Sequence, residues 1–171
     1  QTTALNIEED DQSFTMNYKF NPGETFKYRM SVFSSNKQHM EADTIMDSSI
    51  DQTLIYLLNF KTISVDEDEI SEIQCTVNSI NLKAIGMGKE IYYQSGTKLD
   101  SIDQQQFAEH ESFINNPFNL RVNKFGELID IYKTDKILNS YLNLRGLQDS
   151  VKTEDKAVLK QDLSERVIKP L

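Results

Sequence analysis

Apolar and polar residues alternate with a period of two through most of the first hundred positions. The longest run is 40–65, MEADTIMDSSIDQTLIYLLNFKTISV. Its even positions read Met40, Ala42, Thr44, Met46, Ser48, Ile50, Gln52, Leu54, Tyr56, Leu58 and Phe60. Glu41, Asp43, Asp47 and Asp51 occupy odd positions. A period of two places the first set on one face of an extended chain and the acids on the other. The run reads as one very long strand, or as two collinear strands joined by a bulge. Ile63 and Val65 are apolar on the opposite parity, which one extra residue near Phe60 would produce.

Before this run, Phe14, Met16, Tyr18 and Phe20 alternate with polar residues as a half-buried strand. Asn21-Pro22-Gly23-Glu24 is a turn, with glycine supplying a positive φ. Residues 25–34 then form the second arm of an early antiparallel pair, with Phe26, Tyr28, Met30 and Val32 inward. Ser34-Ser35-Asn36-Lys37-Gln38 reads as the next turn. After the long run, Asp66, Glu67, Asp68 and Glu69 form a solvated hairpin tip. They lack the spaced ligands and central glycine of a calcium loop. Residues 70–85 are a second long strand with its own change of parity, from Ile73, Cys75 and Val77 to Ile80, Leu82 and Ala84. Two neighbouring strands that both switch face predict a sheet that curls. Gly86-Met87-Gly88 is a turn that opens no helix, so it is no nucleotide fingerprint. Residues 90–94 are a shorter strand with Ile91 and Tyr93.

The pattern then changes. Ile102, Phe107, Phe113 and Ile114 predict a helix around 102–114, capped by Asp100 or Ser101 and broken at Asn115-Asn116-Pro117. Phe118, Leu120 and Val122 alternate into a hairpin that returns over 128–132, with Gly126 at the position needing positive φ. Ile137, Leu138, Tyr141, Leu142 and Leu144 have helical spacing after Thr134-Asp135-Lys136, and Arg145-Gly146 ends that helix. A last amphipathic stretch, 154–168, carries Ala157, Val158, Leu163, Val167 and Ile168. The whole predicts an α+β fold: one large, strongly curved antiparallel sheet, an incomplete barrel, with two or three helices covering its concave face. Residues 1–12 read as a flexible lead and 13–171 as one curved-sheet domain.

Composition narrows the function. Net charge is -9, from 27 acidic and 18 basic residues, which argues against nucleic acid, whose binding needs a basic patch. It argues weakly against an anionic membrane surface as well. No run of 18 apolar residues occurs, so no transmembrane segment is expected. The start, QTTALNIEEDDQSF, has no basic segment and no apolar stretch of a signal peptide. It reads as a polar lead-in of the kind left when a signal or lipoprotein anchor is removed. The lone cysteine, Cys75, sits among alternating apolar residues and reads as a buried structural thiol. A cysteine nucleophile needs a histidine beside it, and His39 and His110 lie in polar segments expected to be exposed. Those three residues supply no zinc set, and no serine sits in a strand–turn–helix elbow. The evenly spaced Asp43, Asp47 and Asp51 describe a solvated outer face. No enzyme and no cofactor are expected.

The apolar strand face remains. Fully covered by helices, it is solid core. With a gap, it is an apolar cavity with tyrosine and threonine rims, the usual lining of a lipid or small-molecule site, and methionines suit irregular contents. The candidate ligand-binding residues are Tyr28, Met30, Met46, Ile50, Leu54, Tyr56, Leu58, Tyr93, Phe118 and Leu120. The alternative is an interaction module with a solid core that meets a protein partner through a sheet edge or the acidic face.

Two segments carry a family resemblance. One is Asn21-Pro22-Gly23-Glu24-Thr25-Phe26-Lys27-Tyr28-Arg29-Met30. The other is Asn116-Pro117-Phe118-Asn119-Leu120-Arg121-Val122-Asn123-Lys124-Phe125-Gly126-Glu127-Leu128. With the long strand and acidic hairpin between them, residues 14–145 resemble uncharacterised bacterial exported proteins and lipoproteins grouped as a domain of unknown function. The resemblance implies export, with periplasmic or membrane-anchored residence in the cell envelope, and often a second similar half further along. It implies no catalytic residues. By architecture alone the pattern is distantly similar to periplasmic lipoprotein carriers, incomplete barrels that hold acyl chains.

Overall fold

The computed structural model describes residues 17–41 and 45–165, without the side chains of 39–41 and 45–47. Three long strands dominate: β1 (Thr25–Glu41), β2 (Ile45–Val65) and β3 (Ser71–Gly86). β1 pairs β2 antiparallel from Thr25 opposite Lys61 to Glu41 opposite Ile45. β2 pairs β3 antiparallel from Ile50 opposite Gly86 to Val65 opposite Ser71. The other side of β3 is shared. Its C-terminal half pairs with β4 (Lys89–Gln94) and its N-terminal half with β5 (Phe118–Val122), on which β6 (Leu128–Tyr132) pairs in turn. A single parallel bridge, Val77 to Ile114, fills the gap between them. The strand order β1-β2-β3-β5-β6 leaves the six-stranded sheet open, with β1 and β6 at its edges.

Both expected changes of parity are present as breaks in the β2–β3 register. Leu57 faces Ser79 but Leu58 faces Val77, so Asn78 is the extra residue on β3. Thr62 faces Ile73 but Ser64 faces Glu72, so Ile63 is the extra residue on β2. Each bulge returns the next apolar residue to the inner face.

Three expectations about the first 65 residues are corrected. The 40–65 run is not one strand, because Met40 and Glu41 belong to β1 and pair with Met46 and Ile45 of β2. Nor is there a turn at 34–38. Those residues continue β1, since the β2 partners Ser48 to Gln52 hold them extended and an edge strand solvates their polar side chains. Residues 17–20 form no strand, because β1 takes β2 as its partner instead; Phe14, Met16 and the 1–12 lead lie outside the described residues.

Among the described residues four helices form rather than two or three: α1 (Ser101–Gln106), α2 (Ala108–Phe113), α3 (Asp135–Leu144) and α4 (Thr153–Leu163). Asp100 caps α1, accepting hydrogen bonds from the Ile102 and Asp103 amides at 2.9 Å each. The expected single helix divides at Phe107, whose φ of -99° and ψ of 14° depart from helix and whose ring stacks on Tyr93 at 4.7 Å. The main core joins sheet and helices: Tyr56, Leu58, Cys75, Val77, Ile80, Leu82, Tyr93 and Phe118 meet Phe107, Phe113 and Ile137. A smaller cluster, Leu138, Leu142 and Leu163, ties α3 to α4. Val158, expected on the apolar side of the last helix, is exposed, and Val167 and Ile168 lie outside the described residues.

Candidate functional site

One stretch of the inner sheet face is left open as an apolar groove of about 610 Å3. Its floor comes from four strands: Leu58 and Phe60 on β2, Ile73 on β3, Leu120 and Val122 on β5, and Phe26, Tyr28 and Met30 on β1. The pairings explain why these residues share a face. Tyr28 opposes Leu58, Met30 opposes Tyr56, Phe26 opposes Phe60, and Ile73 opposes Leu120.

Residues 17–24 make one wall. The Tyr18 amide donates to the Lys124 carbonyl at 2.7 Å, beside the β5–β6 turn. Six residues on, the Glu24 carbonyl accepts from the Thr62 amide at 2.9 Å, and the Gly23 amide donates to the Thr62 carbonyl at 2.8 Å. This short segment therefore bridges from the β5–β6 end of the sheet to β2. Its aromatics continue those of the floor. Tyr18 stacks on Phe20 at 6.0 Å, Phe20 on Phe26 at 6.5 Å, and Phe26 on Phe60 at 5.3 Å. Tyr28 meets Phe60 edge-on at 5.9 Å. Such stacked and edge-to-face pairs are the favoured aromatic geometries. The positive φ of Gly23, 84°, turns the chain from this wall into β1.

The ten residues expected from sequence divide into four groups. Tyr28, Met30, Leu58 and Leu120 line the groove. Tyr56, Tyr93 and Phe118 are buried in the core with Phe107, Phe113 and Ile137, and Leu54 packs against that core. Ile50 stands apart and exposed, opposite Gly86 at the far end of the long strands. The Met46 side chain lies outside the described residues. The apolar side chains of the groove absent from that set are Tyr18, Phe20, Phe26, Phe60, Ile73 and Val122. The alternation at Tyr18 and Phe20 and the Pro22-Gly23 turn were the signals available for the wall.

Under α2 the environment is drier than its sequence suggests. His110, expected exposed, is half-buried among the rings of Tyr93 and Phe107. Burial lowers its pKa, more than the neighbouring Glu109 and Glu111 raise it, so the imidazole stays neutral at pH 7. Its Nδ1 has no hydrogen-bond partner. The Tyr93 hydroxyl donates to Glu111 at 2.6 Å. Burial, with Glu109 nearby, pushes the Tyr56 phenol up to about 12. Cys75 is buried, free and pushed up to about 12 by desolvation, far from the thiolate that nucleophilic chemistry requires. Among the described residues no cluster of histidine, cysteine and carboxylates has metal-binding geometry. Nor is any described helix long and apolar enough to cross a membrane.

The outer face of the sheet mixes polar residues with the exposed Phe33, Leu57 and Ile85. Glu72 on β3 is held by Tyr132, Lys133 and Asn119, and these hydrogen bonds lower its pKa to about 2. Asp51 is exposed on the outer parity of β2; Asp43 and the Asp47 side chain lie outside the described residues.

An open antiparallel sheet joined to four helices, with an apolar groove left on its inner face, defines the architecture. The chain belongs to a family of unknown function, DUF6263, which it matches over residues 68–170. The match starts at the tip between β2 and β3 and runs through α4, so it leaves out β1, β2 and the wall of the groove. None of the curated proteins and none of the solved structures matches the chain.

Proposed function

We propose that the protein is a non-enzymatic binding protein of the cell envelope, exported and periplasmic or membrane-anchored, that holds a hydrophobic ligand or a lipidated partner. The observation that carries this reading is the groove itself. It leaves Tyr28 59 % exposed beside the nearly inaccessible Leu58. Its volume lies within the roughly 300–1,000 Å3 of small-ligand sites. The bulges at Ile63 and Asn78 support the further reading that the sheet curls around its inner face, with helices on the concave side. The test is mass spectrometry of protein purified without detergent, first native and then after solvent extraction. A stoichiometric apolar mass that is released on denaturation supports the reading. Absence of that mass, with no uptake of an added acyl probe, removes it.

A second reading rests on a different feature. β1 is a 17-residue strand at an open edge, and Val32 and Phe33 are exposed on its two faces. Long unprotected edges accept another strand. On this reading the protein is an interaction module, and Ser31→Pro, which removes a backbone donor from that edge, abolishes partner capture while ligand uptake persists.

A further inference from the structure

The outer face of the sheet carries uncompensated positive charge beside its open β1 edge. In the unbroken β1 ladder, Lys27 and Arg29 alternate with the groove-lining Phe26, Tyr28 and Met30, so they share the opposite face. Lys61 stands on that face too. It pairs with Thr25 and lies diagonal to Lys27, whose own partner is Asn59. All three cations are exposed, and none forms an ion pair with a described residue. Their cross-strand neighbours are neutral. Arg29 opposes Leu57 and Lys27 opposes Asn59, and β3 continues those rows with Ser79 and Thr76 and sets Gln74 beside Lys61. The acids around this margin lie elsewhere. Glu24 borders the groove on the inner side, Glu72 shares a row with Ser64 and pairs with Lys133 at 3.1 Å, and Asp51 stands opposite Ser35 in the far half of β1. In a chain of net charge -9, the first half of its long free edge is therefore basic. Exposed apolar side chains accompany it, Leu57 and Phe33 on the outer face and Tyr28 and Val32 on the inner one.

Resting on the reading of β1 as an edge that accepts another strand, we propose that the partner is an extended acidic segment of another protein. It adds beside residues 25–33 and sets carboxylates at alternate positions against Lys27 and Arg29. Its intervening residues are apolar, because they fall on the face of Tyr28 and Val32. Opposite charges across a ladder favour pairing and like charges oppose it. A second copy of β1 would bring Lys27, Arg29 and Lys37 against the same cations, with only Glu41 to offset them. The charge that selects an acidic strand thus disfavours self-pairing.

The experiment is fluorescence anisotropy of the full chain with three labelled nine-residue peptides in which valine alternates with glutamate, serine or lysine. The glutamate peptide is expected to bind about fivefold more tightly than the serine peptide, as two cross-strand opposite-charge pairs supply, and the lysine peptide most weakly. Added sodium chloride weakens the glutamate peptide alone. In the Lys27→Gln/Arg29→Gln double variant the preference disappears while the serine peptide binds as before. Both residues are exposed, so the variant folds, as circular dichroism will verify. Amide hydrogen exchange within residues 25–33 slows when the glutamate peptide is bound. Equal binding of the glutamate and serine peptides overturns the charge inference and leaves the edge reading standing, as does a preference that survives the double substitution. Failure of all three peptides, or binding that leaves exchange in β1 unchanged, overturns the inference together with the edge reading beneath it. Sedimentation that finds dimers of the chain with the same amides protected makes a second copy the occupant and overturns the acidic partner.

Discussion

The ring of Tyr18 lies so close to Gly126 that a β-carbon at position 126 would stand 2.7 Å from Tyr18 Cε2. The two residues are far apart in sequence, and their contact fastens the wall of the groove to the β5–β6 turn. Gly126 also has a φ of 84°, so it answers two demands at once. Gly23 has the same φ, but a β-carbon there would meet nothing within 4 Å. The pair therefore separates backbone cost from contact cost. Gly23→Ala is expected to destabilise by about 1–2 kcal/mol, the penalty of a left-handed conformation for an L-residue. Gly126→Ala adds an overpacking cost of about 1–3 kcal/mol. In a Tyr18→Ala background the excess at 126 disappears and the two glycine substitutions become equal. Urea denaturation of the set measures this, and an equal cost at both glycines in the native background means that Tyr18 does not press on residue 126.

Leu58 and Tyr28 are cross-strand partners and both line the groove, yet they differ in burial. Leu58 is 2 % exposed and belongs to the main core. Leu58→Ala is expected to cost about 2–5 kcal/mol, the range for a buried leucine that leaves a cavity. Tyr28→Ala should cost under about 1 kcal/mol, since most of its ring is already in water. Acyl-probe binding reverses the order: Tyr28→Ala weakens it several-fold without lowering the melting temperature much. A large stability loss on truncating Tyr28, with unchanged probe affinity, would instead make that ring part of the core.

The long strands were legible because burial of one face imposes a period of two, and even the bulges showed as changes of parity, near Phe60 and between Val77 and Ile80. The hairpin at Gly126 and the cap at Asp100 were legible for local reasons, a positive φ and a carboxylate two residues before the first free amides. Other features depend on partners that alternation does not encode. Residues 34–38 have the composition of a turn, but β2 holds them extended. Tyr18 and Phe20 alternate like a strand, but the ladder positions beside β1 are taken by β2. His110 lies in a polar stretch and is sheltered only because Phe107 and Tyr93 pack around it. The candidate groove was legible as an apolar face; which part of that face stays open was not, since that depends on long-range contacts such as those of Phe107, Phe113 and Ile137 with the sheet residues of the core.

Glu72 gives the fold a measurable acid response. Hydrogen bonds from Tyr132, Lys133 and Asn119 lower its pKa from 4.5 to about 2. The group binds a proton less readily in the folded chain than in the unfolded one. Its contribution is therefore fully present above about pH 4.5 and lost as pH falls through the folded value near 2. Glu72→Gln removes that contribution, so the wild-type and variant stability curves converge below pH 3 and separate above pH 5. Urea midpoints from pH 2 to pH 7 test this; parallel curves would mean that the three donors do not favour the ionised carboxylate.

Cys75 reports on the integrity of the sheet beneath the groove. It sits on β3 between Phe60 of β2 and Phe118 of β5, is 1 % exposed, and has a thiol pushed up to about 12 by burial. The reactive thiolate is therefore scarce in the folded state, and reagent reaches the sulfur only when β3 opens. At pH 8 an aromatic disulfide reagent should label folded protein at least about 10³-fold more slowly than the urea-unfolded chain, following the folding equilibrium. Cys75→Ala is expected to be milder than Cys75→Ser, because a serine hydroxyl between two phenylalanine-bearing strands loses water without gaining a partner, at a cost of about 1–3 kcal/mol. An added acyl probe should slow labelling further in proportion to its occupancy, since a ligand that binds only the folded state reduces the open population. Labelling that is fast in the native state would place Cys75 at an accessible surface and remove the continuous β2–β3–β5 floor on which the groove depends.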